Sequence, residues 1–253
     1  MGRLLAMLLC FVALVGAADA PKLVPDISNR SIQIRYSFTG AELLLFGAVV
    51  YPGGVVPDEP AEVVVVLKGP TTPILMREKQ KIAGIWMNAE SHRFSSAPGF
   101  YAIASSAPID TLVDERTAAI YELGLENLQL SSGGGATPEE SRRFEQGLID
   151  LRRREGLFAE QPGGIEVTDD ILYRASIPIP SRVPVGTYTA ETFLIRDGRV
   201  LAVASRDIDI NKTGFERFVA VSAERQPFLY GLASVWISLL LGAIAAWAFR
   251  KRA

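Results

Sequence analysis

The densest group of chemically capable side chains in this sequence runs from Trp86, Met87 and Asn88 to His92, Arg93 and Phe94. An indole, an amide, an imidazole and a guanidinium in one short segment combine flat apolar surface with hydrogen-bond donors. That combination suits a small anionic or polar ligand. Trp86, Asn88, His92 and Arg93 are therefore the candidate ligand-binding residues. A plainer reading of the same residues makes Trp86 a core or edge anchor, Asn88 a turn residue and His92-Arg93 a solvated loop.

Catalytic candidates are weaker. Asp169 and Asp170 are adjacent, and neighbours in an extended strand point to opposite faces, so the two do not serve one site. Asp58-Glu59 sits between Pro57 and Pro60 and reads as a turn. No serine elbow, phosphate loop or metal-ligand spacing occurs. Gly53-Gly54 and Gly133-Gly134-Gly135 lack the strand-to-helix context in which backbone N–H groups cradle a phosphate. The sequence therefore names no catalytic residue, and the reading is a non-enzymatic protein.

The rare residues narrow the chemistry further. The chain has one cysteine, Cys10, and one histidine, His92. Cys10 lies in an apolar N-terminal run read as a cleaved signal. The mature segment then offers no thiol for a disulfide, a nucleophile or a zinc site. One histidine cannot make a multi-His metal site within one chain. No metal and no cofactor is implied. The net charge of −2, with 21% charged residues, gives no basic excess, so nucleic acid is not an expected partner.

The two ends point to a membrane. Residues 1–20 resemble a secretory signal, with Arg3 ahead of the apolar stretch Leu4 to Val15 and small residues at Gly16-Ala17-Ala18 and Ala18-Asp19-Ala20. The apolar stretch is about 12 residues, too short to cross a bilayer. Residues 227–249 carry no charge and are long enough to cross ~30 Å at about 1.5 Å per residue. Trp236 stands in one half and Trp247 and Phe249 at the far end, where aromatic belts form. Arg250-Lys251-Arg252 follows, a basic tail over 250–253. The positive-inside rule makes that tail cytoplasmic and the main domain extracytoplasmic, in a single-pass protein of the inner (plasma) membrane. Ser234, Ser238, Gly242 and Ala246 recur every fourth residue, a helix-packing stripe of small residues.

Between the ends, residues 21–212 read as one extracytoplasmic domain. Ile32, Ile34, Tyr36 and Phe38 alternate with polar residues, a half-buried strand over 31–38. Residues 43–51 and 63–67 read as more deeply buried strands, and 81–87 and 100–105 as further strands. A helical insertion interrupts the strands at about 108–164. Within it, Asp114 to Leu123 is weakly helical, and Thr137-Pro138-Glu139-Glu140 is a strong helix start with a capping box. Phe144, Leu148 and Leu151 then share a face before Gly156. The arginines around them read as a solvated face beside Glu145, Asp150 and Glu155. Strands return at 171–177, and 186–196 and 200–210 flank the hairpin signal Asp197-Gly198. Residues 213–226 read as a juxtamembrane amphipathic helix. The expected fold is mainly β: an Ig-like β-sandwich with a helical insertion, plus one C-terminal transmembrane α-helix.

Several segments, taken in order, resemble one family. They are Leu44-Leu45-Phe46-Gly47-Ala48, Val64-Val65-Val66 before Lys68-Gly69-Pro70, and Ala83-Gly84-Ile85-Trp86-Met87-Asn88. Phe100-Tyr101-Ala102, Val183-Pro184-Val185-Gly186-Thr187-Tyr188, Gly214-Phe215-Glu216-Arg217 and Pro227 to Gly231 continue the match. Together they resemble the uncharacterised alphaproteobacterial transmembrane protein family Alph_Pro_TM over nearly the whole mature chain. The resemblance implies this architecture rather than an activity. By association with sulfite-exporter-type permeases it implies an accessory protein whose partner is a multi-span permease. The alternatives are a periplasmic ligand-binding sensor or chaperone-like domain and, behind them, a hydrolase with an unrecognised site.

Overall fold

The aliphatic run Val63 to Leu67 contains no polar residue, so a strand built from it needs cover on both faces. In the computed structural model all of these side chains are shielded from water. The structure describes residues 20–34, 40–59, 61–134, 137–212, 219 and 222–250. Of these, residues 20–32 and 40–210 belong to one compact unit, and the C-terminal helix belongs to a second.

The strands are β1 (Lys22–Ile27), β2 (Ser31–Ile34), β3 (Ala41–Val50), β4 (Glu62–Lys68), β5 (Thr71–Ile82), β6 (Ile85–Pro98) and β7 (Tyr101–Ser105). After them come β8 (Ser131–Ser132), β9 (Phe158–Pro162), β10 (Ile165–Thr168), β11 (Leu172–Ile179), β12 (Gly186–Arg196) and β13 (Arg199–Lys212). Among the described residues they form three sheets, ordered β1-β3-β11-β10, β2-β13-β12-β4-β7-β9 and β5-β6-β8. The first two sheets face each other, with β1 against β12 and β11 against β7. Leu43, Leu45, Tyr173 and Ile177 of the first sheet are buried, as are β4, β7 and most of β12 in the second. β3 pairs with β11, and β4 with β12. Strands from before and after the helical segment thus share both sheets.

The mainly β fold with one apolar C-terminal helix is as expected. Its particulars differ in places. β3 is not deeply buried: Leu43, Leu45 and Val49 point inward, while Phe46 and Val50 stand exposed. The first sheet is covered on one face only, so its strands alternate. β4 has cover on both faces, because the helical segment lies on the far side of its sheet. There Tyr121 sets its ring 5.6 Å from that of Phe193.

The strand expected at 81–87 spans a turn instead. Ala83 and Gly84 have φ of 49° and 86°, the left-handed pair that joins twisted hairpin strands with two residues. Asp169 and Asp170 also lie at positive φ, 52° and 54°, in the connection between β10 and β11 rather than in an extended strand. The hairpin expected at Asp197-Gly198 is present between β12 and β13.

The helical segment contains Ile109–Leu112, Glu115–Tyr121 and Pro138–Arg154. Thr137 caps the last of these, with the reciprocal Glu140 contact in place. β7 and β9 run parallel, a pairing that needs a crossover of a dozen or more residues. The insertion is that crossover, and β9 is a strand the hydrophobic pattern does not announce. This parallel pair and the separate third sheet lie outside the Ig-like expectation. Phe144 and Leu148 are buried against Phe94 and Ala97. Leu151, expected on the same face, is 47% exposed, because it lies one turn past the residues that pack on β6.

The C-terminal helix is Pro227–Arg250. Its stretch Pro227–Trp247 has a mean hydropathy of 2.0, long and apolar enough to cross a membrane, and none of it is buried. Ser234 and Ser238 donate to the carbonyls of Tyr230 and Ser234 at 2.9 and 2.8 Å. Those hydroxyls are therefore satisfied within the helix and need no water. The expected signal at 1–20, apart from Ala20, lies outside the described residues. So do Arg35 to Phe38 of the strand expected at 31–38, most of 213–226, and the tail beyond Arg250.

Candidate functional site

The four candidate ligand residues all sit on β6, and the strand separates them. At about 3.3 Å per residue, Trp86 and His92 are roughly 20 Å apart along the chain. Trp86 and Asn88 are near the hairpin tip and exposed, with Trp86 67% exposed. His92 is at 4%. Its ring stacks on Phe144 at 5.2 Å and meets the edge of Phe94 at 4.7 Å. Nε2 of His92 is buried with no partner. Arg93, next along the strand, faces solvent. The structure does not bring the four together. His92 joins the hairpin to the insertion helix, and Trp86 belongs to a different site.

Arg143 reinforces that junction. It lies 3.6 Å from Glu78, is bonded to Glu90, and places its guanidinium 5.3 Å from the Phe144 ring centre. Cover from the insertion reaches the hairpin up to this level. Beyond it, every residue from Lys81 to Ala89 is exposed.

The distal hairpin is the site the geometry creates. Ile82 pairs with Ile85, Lys81 with Trp86, Gln80 with Met87 and Lys79 with Asn88. Cross-strand partners share a face. Ile82, Ile85 and Met87 therefore line one face of the ribbon, and Trp86 stands with Lys81 and Lys79 on the other. All four apolar side chains are exposed. No acidic residue occurs between Glu78 and Glu90. The arrangement is an apolar wedge with a basic rim. The signal for it in the sequence is a short turn, Ala83-Gly84, with isoleucines on both sides. Read as one strand, that signal disappears.

The charged cluster at Lys68 is committed to structure. The Lys68 ammonium lies 2.7 Å from Glu122 and 3.3 Å from Glu191. Burial pulls its pKa down, but the Glu122 hydrogen bond and the two carboxylate charges outweigh this and hold it above the ordinary lysine value. Tyr101 donates its hydroxyl to the Glu122 carbonyl at 2.7 Å and accepts from the Gly124 N–H at 3.1 Å. Burial pushes that phenol well up.

A groove of about 1070 Å³ runs along the insertion and β9, lined in part by Glu126, Arg142, Glu145, Asp150, Arg153 and Glu160. Its charges are mixed in sign. Glu160 is taken by the Leu125 N–H at 2.6 Å, and Glu145 accepts from the Ser132 hydroxyl at 3.1 Å. Among the described residues, no group of three His, Cys, Asp or Glu side chains is placed to hold a metal. The outward face of the first sheet exposes Val24, Phe46, Val50 and Leu172, beside an Arg174–Glu166 pair and a Ser176–Glu42 contact.

The family described as "Putative transmembrane protein (Alph_Pro_TM)" matches residues 22–251. No curated protein matches the chain.

Proposed function

We propose, for a chain that belongs to the Alph_Pro_TM family of transmembrane proteins, the role of a membrane-anchored extracytoplasmic binding domain that assists a membrane partner. The observation that carries this reading is the outward face of the first sheet. Val24, Phe46, Val50 and Leu172 remain in water there, although the domain has a complete core of its own. Soluble domains seldom leave such a cluster uncovered without a partner for it. Pro227–Trp247 supplies a single candidate span among the described residues, and one helix encloses no path for a solute. A multi-span partner is therefore the complement, and a permease of the sulfite-exporter type is the form we propose. The basic residues after Phe249 orient the helix with its C-terminus in the cytoplasm, which leaves the sandwich on the other side of the inner membrane.

The test is co-purification of tagged full-length protein from native membranes in mild detergent. Two variants run beside it: Phe46→Asp with Leu172→Asp, and the span replaced by an unrelated helix. We expect a multi-span protein with the parent and loss of it with the sheet-face variant. Loss only on helix replacement would move recognition to the stripe of Ser234, Ser238, Gly242 and Ala246. Recovery of no partner in any sample removes the accessory role. A second reading, a ligand-binding sensor, is favoured by the groove beside β9. It predicts a rise in melting temperature with sulfite, sulfate or an organosulfonate.

A further inference from the structure

We infer that the tip of the β5–β6 hairpin is a second membrane contact, entering the lipid–water interface of the bilayer that the C-terminal helix crosses. Ile82, Ile85, Trp86 and Met87 are all about half exposed or more, and the register places them on both faces of the ribbon. A flat protein surface covers one face of a two-stranded ribbon and leaves the other wet. A fluid interface surrounds both. The turn is bare as well, since nothing lies within 4 Å of where a Cβ on Gly84 would stand.

The polar residues fit the same occupant. Trp is the side chain that settles at the headgroup level, with its ring apolar and its N–H wet. Lys79 and Lys81 rim the wedge, and long lysine stems let ammonium groups reach anionic headgroups while the chain lies deeper. The nearest acids, Glu78 and Glu90, share the Arg143 guanidinium on the insertion helix, which leaves one net negative charge at that level against the two lysines nearer the tip. Glu78 is also the last residue before the irregularity in register that separates the proximal from the distal hairpin.

Energetics favour the contact even if the tip alone binds weakly. A few apolar side chains and two lysines give only marginal, reversible affinity for a membrane. Here the same chain carries a membrane-crossing helix. Insertion is then an intramolecular step at high effective concentration and needs little intrinsic affinity. The consequence is a domain held at two points, which restricts how it turns on its tether. The inference rests on membrane attachment by the C-terminal helix but not on any partner.

The test uses the full chain with Trp236→Phe and Trp247→Phe, which leaves Trp86 as its one indole. It is reconstituted into vesicles of phosphatidylcholine and phosphatidylglycerol, and flotation reports attachment by the helix separately. We expect Trp86 emission to be blue-shifted, quenched by lipids brominated on their acyl chains, and several-fold less sensitive to acrylamide than a free tryptophan amide. Lys79→Glu with Lys81→Glu should reverse these changes, as should high salt in part. Ile85→Ser should reverse them with the melting temperature of the domain unchanged. Floating protein whose Trp86 is fully quenched by acrylamide and untouched by brominated lipid overturns the inference. Shielding that appears only in native membranes, and not in lipid alone, overturns it in favour of a protein partner.

Discussion

Two apolar stretches lie close together in the chain and meet opposite fates. Val63 to Leu67 in β4 is fully buried, while Ile82 to Met87 at the hairpin tip is open to water, with Ile85 and Trp86 each 67% exposed. Apolar character alone does not decide burial. Their neighbours do. β4 has β12 and β7 at its two edges, the first sheet over one face and the insertion over the other. The hairpin tip has only its own other strand. Burial of the first stretch serves the fold, and each of its larger side chains contributes on the order of 1.5–3 kcal/mol. Exposure of the second contributes nothing to folding, so its apolar residues call for a partner outside the domain.

The sharpest way to break this contrast is to remove volume from β4. Leu67→Ala should cost about 2–5 kcal/mol, because a fully packed site collapses only partly around the hole. A urea midpoint followed by proteolysis of the unfolded form checks it. A loss below that range would mean β4 is less central than its burial implies. Next comes Tyr101→Phe. The hydroxyl joins the Glu122 carbonyl to the Gly124 N–H, and its removal leaves both without that partner, a cost of about 1–3 kcal/mol.

A smaller effect is expected at the helix that covers the base of the hairpin. Thr137→Ala removes an N-cap worth about 1 kcal/mol and should loosen the Phe144–Phe94 contact. The pH response of this cap has a definite sign. The Thr137 backbone N–H, and then its side chain, hold the Glu140 carboxyl below the usual carboxylate range. The Glu140 contribution is therefore complete above that range. It is lost as pH falls through the lowered value. Protection of the amides over Pro138–Arg154, taken relative to the intrinsic exchange rate at each pH, should fall on acidification in the parent, and the Glu140→Gln variant should show less of this change.

The smallest effect should be at the tip itself. Ile85→Ser should alter domain stability by no more than about 0.5 kcal/mol, the range for surface substitutions outside special features. A larger loss would show that the tip packs on something within the domain, and the contrast with β4 would fail. His92→Phe sharpens the other side of the comparison. It keeps the stack on Phe144 and removes a buried nitrogen that has no partner. Stability should hold or rise, whereas a ligand-binding His92 would lose binding.

Much of the architecture was legible because it rests on local signals. The capping box at Thr137 and Glu140, the turn at Asp197-Gly198 and the uncharged helix from Pro227 each act within a few residues. Strand β9 was not legible. Phe-Ala-Glu-Gln-Pro has neither alternation nor β-branching, and it is a strand because β7 offers it a parallel edge. The candidate site was legible only in part. Trp86 stood out by type. Its separation from His92 depends on where the chain reverses, and a two-residue turn of Ala83-Gly84 is a faint signal inside an apolar run.

By itself the sequence determined what local chemistry can carry: a chain with one histidine and one cysteine, a helix able to cross a membrane, caps, turns and the aliphatic strand β4. Tertiary structure alone decided which faces are covered. It put Phe46 and Val50 outside and Val65 inside, sent His92 into the core and left Trp86 in water. The physical reason is that burial belongs to pairs of surfaces distant in sequence, and no single segment contains the partner that hides it.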